Sequence, residues 1–198
     1  RQPVVNTSSL IPNGTNTTAK YVHSKEPIGV KVGDIVVYTI RVYNEGEVDG
    51  YVGNISDILP EELTFPTQDI ATTNEIKEAL EFNAGYGWKV TTTGKIETDI
   101  LSKNTEFDAT QKEICKAQNR DTALIKAFDG SKLDYIDVKV KCLVNEKATT
   151  DEKITNIAEI TKYEDKEGGE VNPDRDSSSG NFNLPEGTKQ NDYEGNGN

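Results

Sequence analysis

The chain contains no methionine, one histidine, one tryptophan and two cysteines in 198 residues. A single histidine, His23, excludes a histidine-based metal cluster and leaves any acid–base role for imidazole resting on one residue in an edge segment. The cysteines, Cys115 and Cys142, are too few for a disulfide framework and lack C-x-x-C spacing, so they form either one bridge in an oxidising compartment or two thiols. No apolar run approaches the roughly 20 residues needed to cross a bilayer. No charged, apolar and small-residue leader opens the chain, and direct membrane insertion is not expected. The absence of methionine even at position 1 points to a processed product or an excised piece of a longer chain. Positive charge is scarce: 22 Lys and Arg face 34 Asp and Glu, a net charge of -12. Such a surface repels phosphate backbones, so nucleic acid is not an expected partner. No G-x-S-x-G, phosphate-binding loop or dinucleotide fingerprint occurs. A hydrolytic carboxylate pair would need Asp57 with Glu61 or Glu62, at a strand end whose acids read as solvated surface. Enzymatic function is not expected.

What is present is β-strand pattern. From Val30 to Phe65 the run V-K-V-G-D-I-V-V-Y-T-I-R-V-Y-N-E-G-E-V-D-G-Y-V-G-N-I-S-D-I-L-P-E-E-L-T-F reads as two antiparallel strands around a Gly-marked turn. Ile35 to Tyr43 places Val36, Tyr38, Ile40 and Val42 on one face, and Tyr51 to Leu59 places Tyr51, Ile55, Asp57 and Leu59 on one face before Pro60 ends it. Tyr135 to Val144 alternates with Ile136, Val138, Val140, Cys142 and Val144 inward, which makes Cys142 a core thiol. Ile154 to Tyr163 puts Ile154, Asn156, Ala158 and Ile160 on one face. A hairpin is expected about Gly94, joining 88–93 to 95–101. Helical spacing predicts short helices over Thr72 to Phe82, with a Thr72/Glu75 capping box, and over Asp108 to Ala117, both at one end of the sandwich. The expected class is all-β, an Ig-like antiparallel β-sandwich with two short helical insertions. Residues 1–26 read as an extended lead-in with a possible edge or exchanged strand near Thr18 to His23, 27–183 as the sandwich, and 184–198 as an acidic, Gly- and Asn-rich tail or intermodule linker.

Two core-facing polar residues, Asp57 and Asn156, need an explanation, because an unpartnered buried amide costs roughly 2 kcal/mol and a buried carboxylate more. They either hydrogen-bond backbone at a strand edge, or they belong to an isopeptide cross-link in which a buried neutral lysine attacks the Asn amide while a protonated carboxyl shuttles protons. Asp174, Asp176 and Ser178 alternate in an Asn-Pro-led turn, a spacing that suits calcium or an Asx-rich turn equally. Trp88 with Tyr86 is a candidate sugar-stacking contact or ordinary packing.

The motifs V-K-V-G-D-I-V-V-Y-T-I-R-V-Y-N-E-G, I-S-D-I-L-P-E-E-L-T-F, I-T-N-I-A-E-I-T and D-R-D-S-S-S-G-N, in that order, resemble the conserved-repeat domain of unknown function found in tandem in cell-wall proteins of Gram-positive, Clostridia-like bacteria. The similarity spans most of Val30 to Asn181. It implies an Ig-like module of an extracellular stalk, adhesin or pilus-like protein, with neighbouring modules or subunits of the same protein as partners. A glycan or host protein is the alternative partner, shaped for by the helical insertions. Related collagen-adhesin and pilin-type domains carry Lys–Asn isopeptide bonds, so the resemblance implies Asn156 as amide partner and Asp57 as acid. The reactive lysine is expected on a first strand that would precede Arg1, and no lysine occurs before Lys20. Lys20 or Lys31 would have to substitute, although Lys31 alternates with Val30 and Val32 and faces solvent. Otherwise the bond is absent from this chain, or the strand and its lysine come from a neighbouring module.

Overall fold

The computed structural model describes residues 4–10, 19–22, 28–92, 94–150 and 153–171. In chain order these form β1 (Val4–Asn6), β2 (Lys20–Val22), β3 (Ile35–Asn44), β4 (Gly50–Ile58), β5 (Leu63–Thr64), α1 (Asn74–Gly85), β6 (Lys89–Thr92), β7 (Lys95–Thr98), α2 (Asp108–Ala117), β8 (Asp134–Val144), β9 (Ile157–Asp165) and β10 (Glu170–Val171). A five-stranded antiparallel sheet, β10-β9-β4-β7-β6, faces a three-stranded one, β3-β8-β5. The result is an all-β sandwich with two helical insertions. Its core lies between the sheets, where β8 contributes Ile136, Val138, Val140, Cys142 and Val144, each no more than 1% exposed. Strict alternation of β-branched residues explains this, since the period of two sends every second side chain inward.

The run from Val30 to Phe65 does not fold as a hairpin. β3 pairs with β8 and β4 with β7 and β9, so the turn through Glu45–Asp49 carries the chain from one sheet to the other. Both strands are apolar on the face turned to the core, and stacking those faces buries more apolar surface than pairing the strands edge to edge within one sheet. A bulge at Gly53–Asn54 shifts the register of β4 and turns Val52, 4% exposed, into the core. Gly53 is required there, because a Cβ would stand 2.8 Å from the Lys162 side chain.

α1 is capped one residue later than the sequence pattern suggests. The Thr73 hydroxyl, not Thr72, accepts from the Ile76 N–H, and the helix runs to Gly85. α2 matches its expected span and carries an Asp108–Lys112 pair one turn apart. α1 packs against β8 and also touches β3, and Gln118 at the end of α2 bonds the Asp137 backbone of β8. Between them, Gly87 adopts φ +67°, and a Cβ added there would stand 2.5 Å from the Phe107 ring. Gly87→Ala is expected to lower stability by about 1–3 kcal/mol through strain and overpacking. In the same urea titrations Gly85→Ala, which meets nothing within 4 Å, should be neutral or slightly stabilising.

The lead-in does not edge the sandwich within the described residues. β1 and β2 pair with each other, and Leu10 and Ala19 pack with Phe128 and Leu133 in a small separate core. Glu45 anchors this ribbon by accepting from the Ala19 N–H (3.0 Å) and the Tyr21 hydroxyl. Tyr21 packs at a tilt against Tyr43, and Tyr43 against Tyr135.

Candidate functional site

Asp57 and Asn156 meet in the space between the sheets. β4 delivers Asp57 on its core face, where it is 0% exposed. β9 pairs antiparallel with β4, placing Ala158 opposite Asp57 and leaving Asn156 just before the strand begins. The Asn156 side-chain N–H donates to Asp57 Oδ2 at 2.8 Å. The other oxygens, Asp57 Oδ1 and Asn156 Oδ1, are buried without a partner among the described residues. The pair is short of donors.

Burial dominates its electrostatics. The Asp57 carboxyl is pushed up to about 7 by desolvation, against a smaller downward pull from the Asn156 N–H. Across the sheet interface stand Tyr38 of β3 and Cys142 of β8. Burial raises Tyr38 to about 12, with further upward contributions from Cys142, Asp57 and Glu62. The Cys142 thiol is also pushed up, first by burial and then by Asp57. Each group is therefore favoured in its neutral form, as burial with no cation beside it among the described residues requires. A neutral Asp57 can donate its O–H proton to an amide leaving group while its other oxygen accepts one from an attacking amine, so that it ends neutral again. Those are the two transfers that amide exchange at Asn156 needs.

Among the described residues no lysine accounts for any part of the Asp57 shift. Lys20 sits on β2 opposite Asn6, in the ribbon held at Glu45 and Tyr43. That is the far end of β3 from Tyr38. Lys31 is exposed, and its backbone N–H donates to Asp34. It lines a groove of about 1150 Å³ beside β3, whose walls include Val36, Val37, Tyr38, Val144 and Ile154. The structure thus assembles the amide and the acid and brings neither candidate lysine to them.

Among the described residues the core is fully covered along β8 and only partly covered along β3 and β9. The inward residues of β8 are fully buried, whereas Val36, Tyr38 and Ile40 of β3 and Ala158 and Ile160 of β9 are only partly so. β3 is the outer strand of its sheet. Its pairing with β8 leaves the N–H and C=O groups of Val37, Thr39 and Arg41 directed away from β8.

The remaining candidates separate. Cys115 and Cys142 are free buried thiols, one on α2 and one on β8, so the disulfide alternative is not realised. Burial raises the Cys115 thiol against the opposing charge of Arg120. Trp88 is 4% exposed and its indole N–H donates to the Lys139 carbonyl at 2.9 Å. It has no free face for a sugar, which corrects the ligand-contact reading. Tyr86 is half-buried against Phe82, with ring centroids 4.8 Å apart. Asp174, Asp176 and Ser178, the calcium candidates, lie outside the described residues, as does His23. Tyr38, placed by the alternation in the row Val36, Tyr38, Ile40 and Val42 but given no role there, is the one polar-tipped side chain among those four. No family model, curated protein or solved structure matches this chain.

Proposed function

We propose that this chain is a structural module of a bacterial cell-surface stalk, pilus-like filament or adhesin, completed along β3 by an extended strand from a neighbouring module or subunit. The observation that carries this reading is the core left only partly covered along β3 and β9 by the described residues, with the donor-poor Asp57–Asn156 pair inside it. A strand laid against Val37, Thr39 and Arg41 would pair their backbone groups and cover the inward faces of Val36, Tyr38, Ala158 and Ile160. A lysine on its inward face would point at the pair. Its neutral amine would attack Asn156 Cγ, forming the new C–N bond as the Cγ–Nδ2 bond breaks. One amine proton passes through the Asp57 carboxyl to the departing nitrogen, which leaves as ammonia. The product is a covalent staple between strands, suited to resisting force and proteolysis.

The test is the intact mass of denatured, reduced protein taken from its native assembly, beside a denaturing gel. A species lighter by one ammonia, or a ladder of linked chains, is the expected result. An unmodified mass with a single band rules out the covalent step. Strand addition without chemistry is read separately, by whether the amides of Val37, Thr39 and Arg41 exchange more slowly in the assembly than in the isolated chain. The adhesin alternative would place a glycan or host peptide in the groove beside β3 rather than at Trp88.

A further inference from the structure

We propose that the segment carrying α1 and α2 is a seal on the second edge of the three-stranded sheet, so that a pairing strand can be accepted only at β3. β5 covers just the last residues of β8, pairing Leu63 with Val144 and Thr64 with Leu143. The rest of that edge would be an open row of backbone donors and acceptors, which is a template for another chain. Side chains close it instead. The Asn83 amide donates to the Lys141 carbonyl at 2.8 Å and accepts from its N–H at 2.9 Å. The Gln118 amide does the same two turns of the pleat away, donating to the Asp137 carbonyl at 3.0 Å and accepting from its N–H at 2.8 Å. Between them the Trp88 indole N–H donates to the Lys139 carbonyl, and beyond them the Arg120 guanidinium donates to the Tyr135 carbonyl at 2.8 Å.

A primary amide presents one donor and one acceptor in the geometry of a peptide group, so Asn83 and Gln118 each stand in for one residue of a missing strand. Both are held in place. Asn83 is 0% exposed, and the Arg120 guanidinium beside Gln118 is locked by a two-pronged pair with Asp134 at 2.6 and 2.8 Å. Four side chains from two stretches, α1 with the turn after it and the turn that ends α2, thus converge on alternate residues of one strand edge, the pattern needed to block pairing. The β3 edge has no such cover among the described residues. Its role as the receiving edge rests on the function proposed above, but the seal on β8 does not.

The experiment uses a Val37→Pro background, in which the β3 edge loses an outward N–H and can no longer accept a strand. There, Asn83→Ala with Gln118→Ala should convert a monomer to a concentration-dependent dimer in sedimentation velocity. The Asp137 and Lys141 amides, protected before, should lose at least tenfold of their exchange protection in the dissociated variant. A folded double-amide variant that stays monomeric at every concentration overturns the seal. If that variant does not fold, by circular dichroism, each single amide deletion in the same background is read by the same criterion. Because β3 is blocked throughout, failure here leaves strand addition at β3 untouched, and failure of strand addition leaves the seal untouched.

Discussion

Raising the pH from about 4 to about 7 is expected to reduce the stability of the fold by up to roughly 4 kcal/mol, and Asp57→Asn is expected to remove that dependence. In the folded chain the Asp57 carboxyl is pushed up to about 7 from its ordinary 3.8, because burial penalises its charged form more than the Asn156 N–H favours it. Between those values the folded state holds a proton that the unfolded state has released. Folding takes up a proton in this window, so the contribution is fully present below the unfolded value and is lost as pH rises through the folded one. Above about 7 the dependence on this group flattens, since both states are ionised. Asparagine keeps the shape, stays neutral at every pH and adds a donor for the unpartnered Asn156 oxygen. The difference between wild type and variant isolates Asp57 from the surface carboxylates, whose lowered values act mainly below this window. Urea midpoints of both proteins across the range give the answer. Parallel profiles would mean that the carboxyl is solvated or already paired with a cation, and the donor-poor pair would no longer stand.

Trp88→Ala is expected to lower stability by about 3–5 kcal/mol, the range for emptying a large buried aromatic site. The indole belongs to the main core and its N–H donates to the Lys139 carbonyl on the sealed edge of β8. Trp88→Phe separates the two effects. It restores most of the volume and leaves the carbonyl without its donor, so about 1–2 kcal/mol should remain lost. A Trp88→Ala protein as stable as wild type but deficient in glycan binding would reverse this assignment and make the residue a ligand contact. If the stability loss is seen, any weakened binding by that variant reports unfolding, and the groove beside β3 becomes the place to seek a ligand.

Local pattern in the chain was enough to define most elements. The alternation of Ile35 to Tyr43 and Tyr135 to Val144 places β3 and β8 within a residue of where they lie. Helical spacing with an acidic first turn places α2 at Asp108–Ala117. These depend on side-chain periodicity and backbone preference over a few residues, and neighbours in sequence carry both. Asp57 and Asn156 were also legible as polar residues in apolar rows. That they bond each other, 99 residues apart, required β4 and β9 to pair in one particular register.

What only the tertiary structure decided is where strands go after they form. The Gly-rich turn after β3 is as compatible with a hairpin as with a crossing, and burial of two apolar faces against each other selected the crossing. The positions of Asn83, Trp88, Gln118 and Arg120 on the edge of β8 have no local signature, because an amide that replaces a strand residue looks like any other polar side chain on a helix or turn. The same holds for the lysines. Sequence order allowed Lys20 or Lys31 to serve Asn156, but the docking of β2 at Glu45 and the exposure of Lys31 keep both away from it. Sequence sets the period of each strand by short-range sterics, while edges, pairings and the donor-poor pair arise from long-range burial that no short window contains.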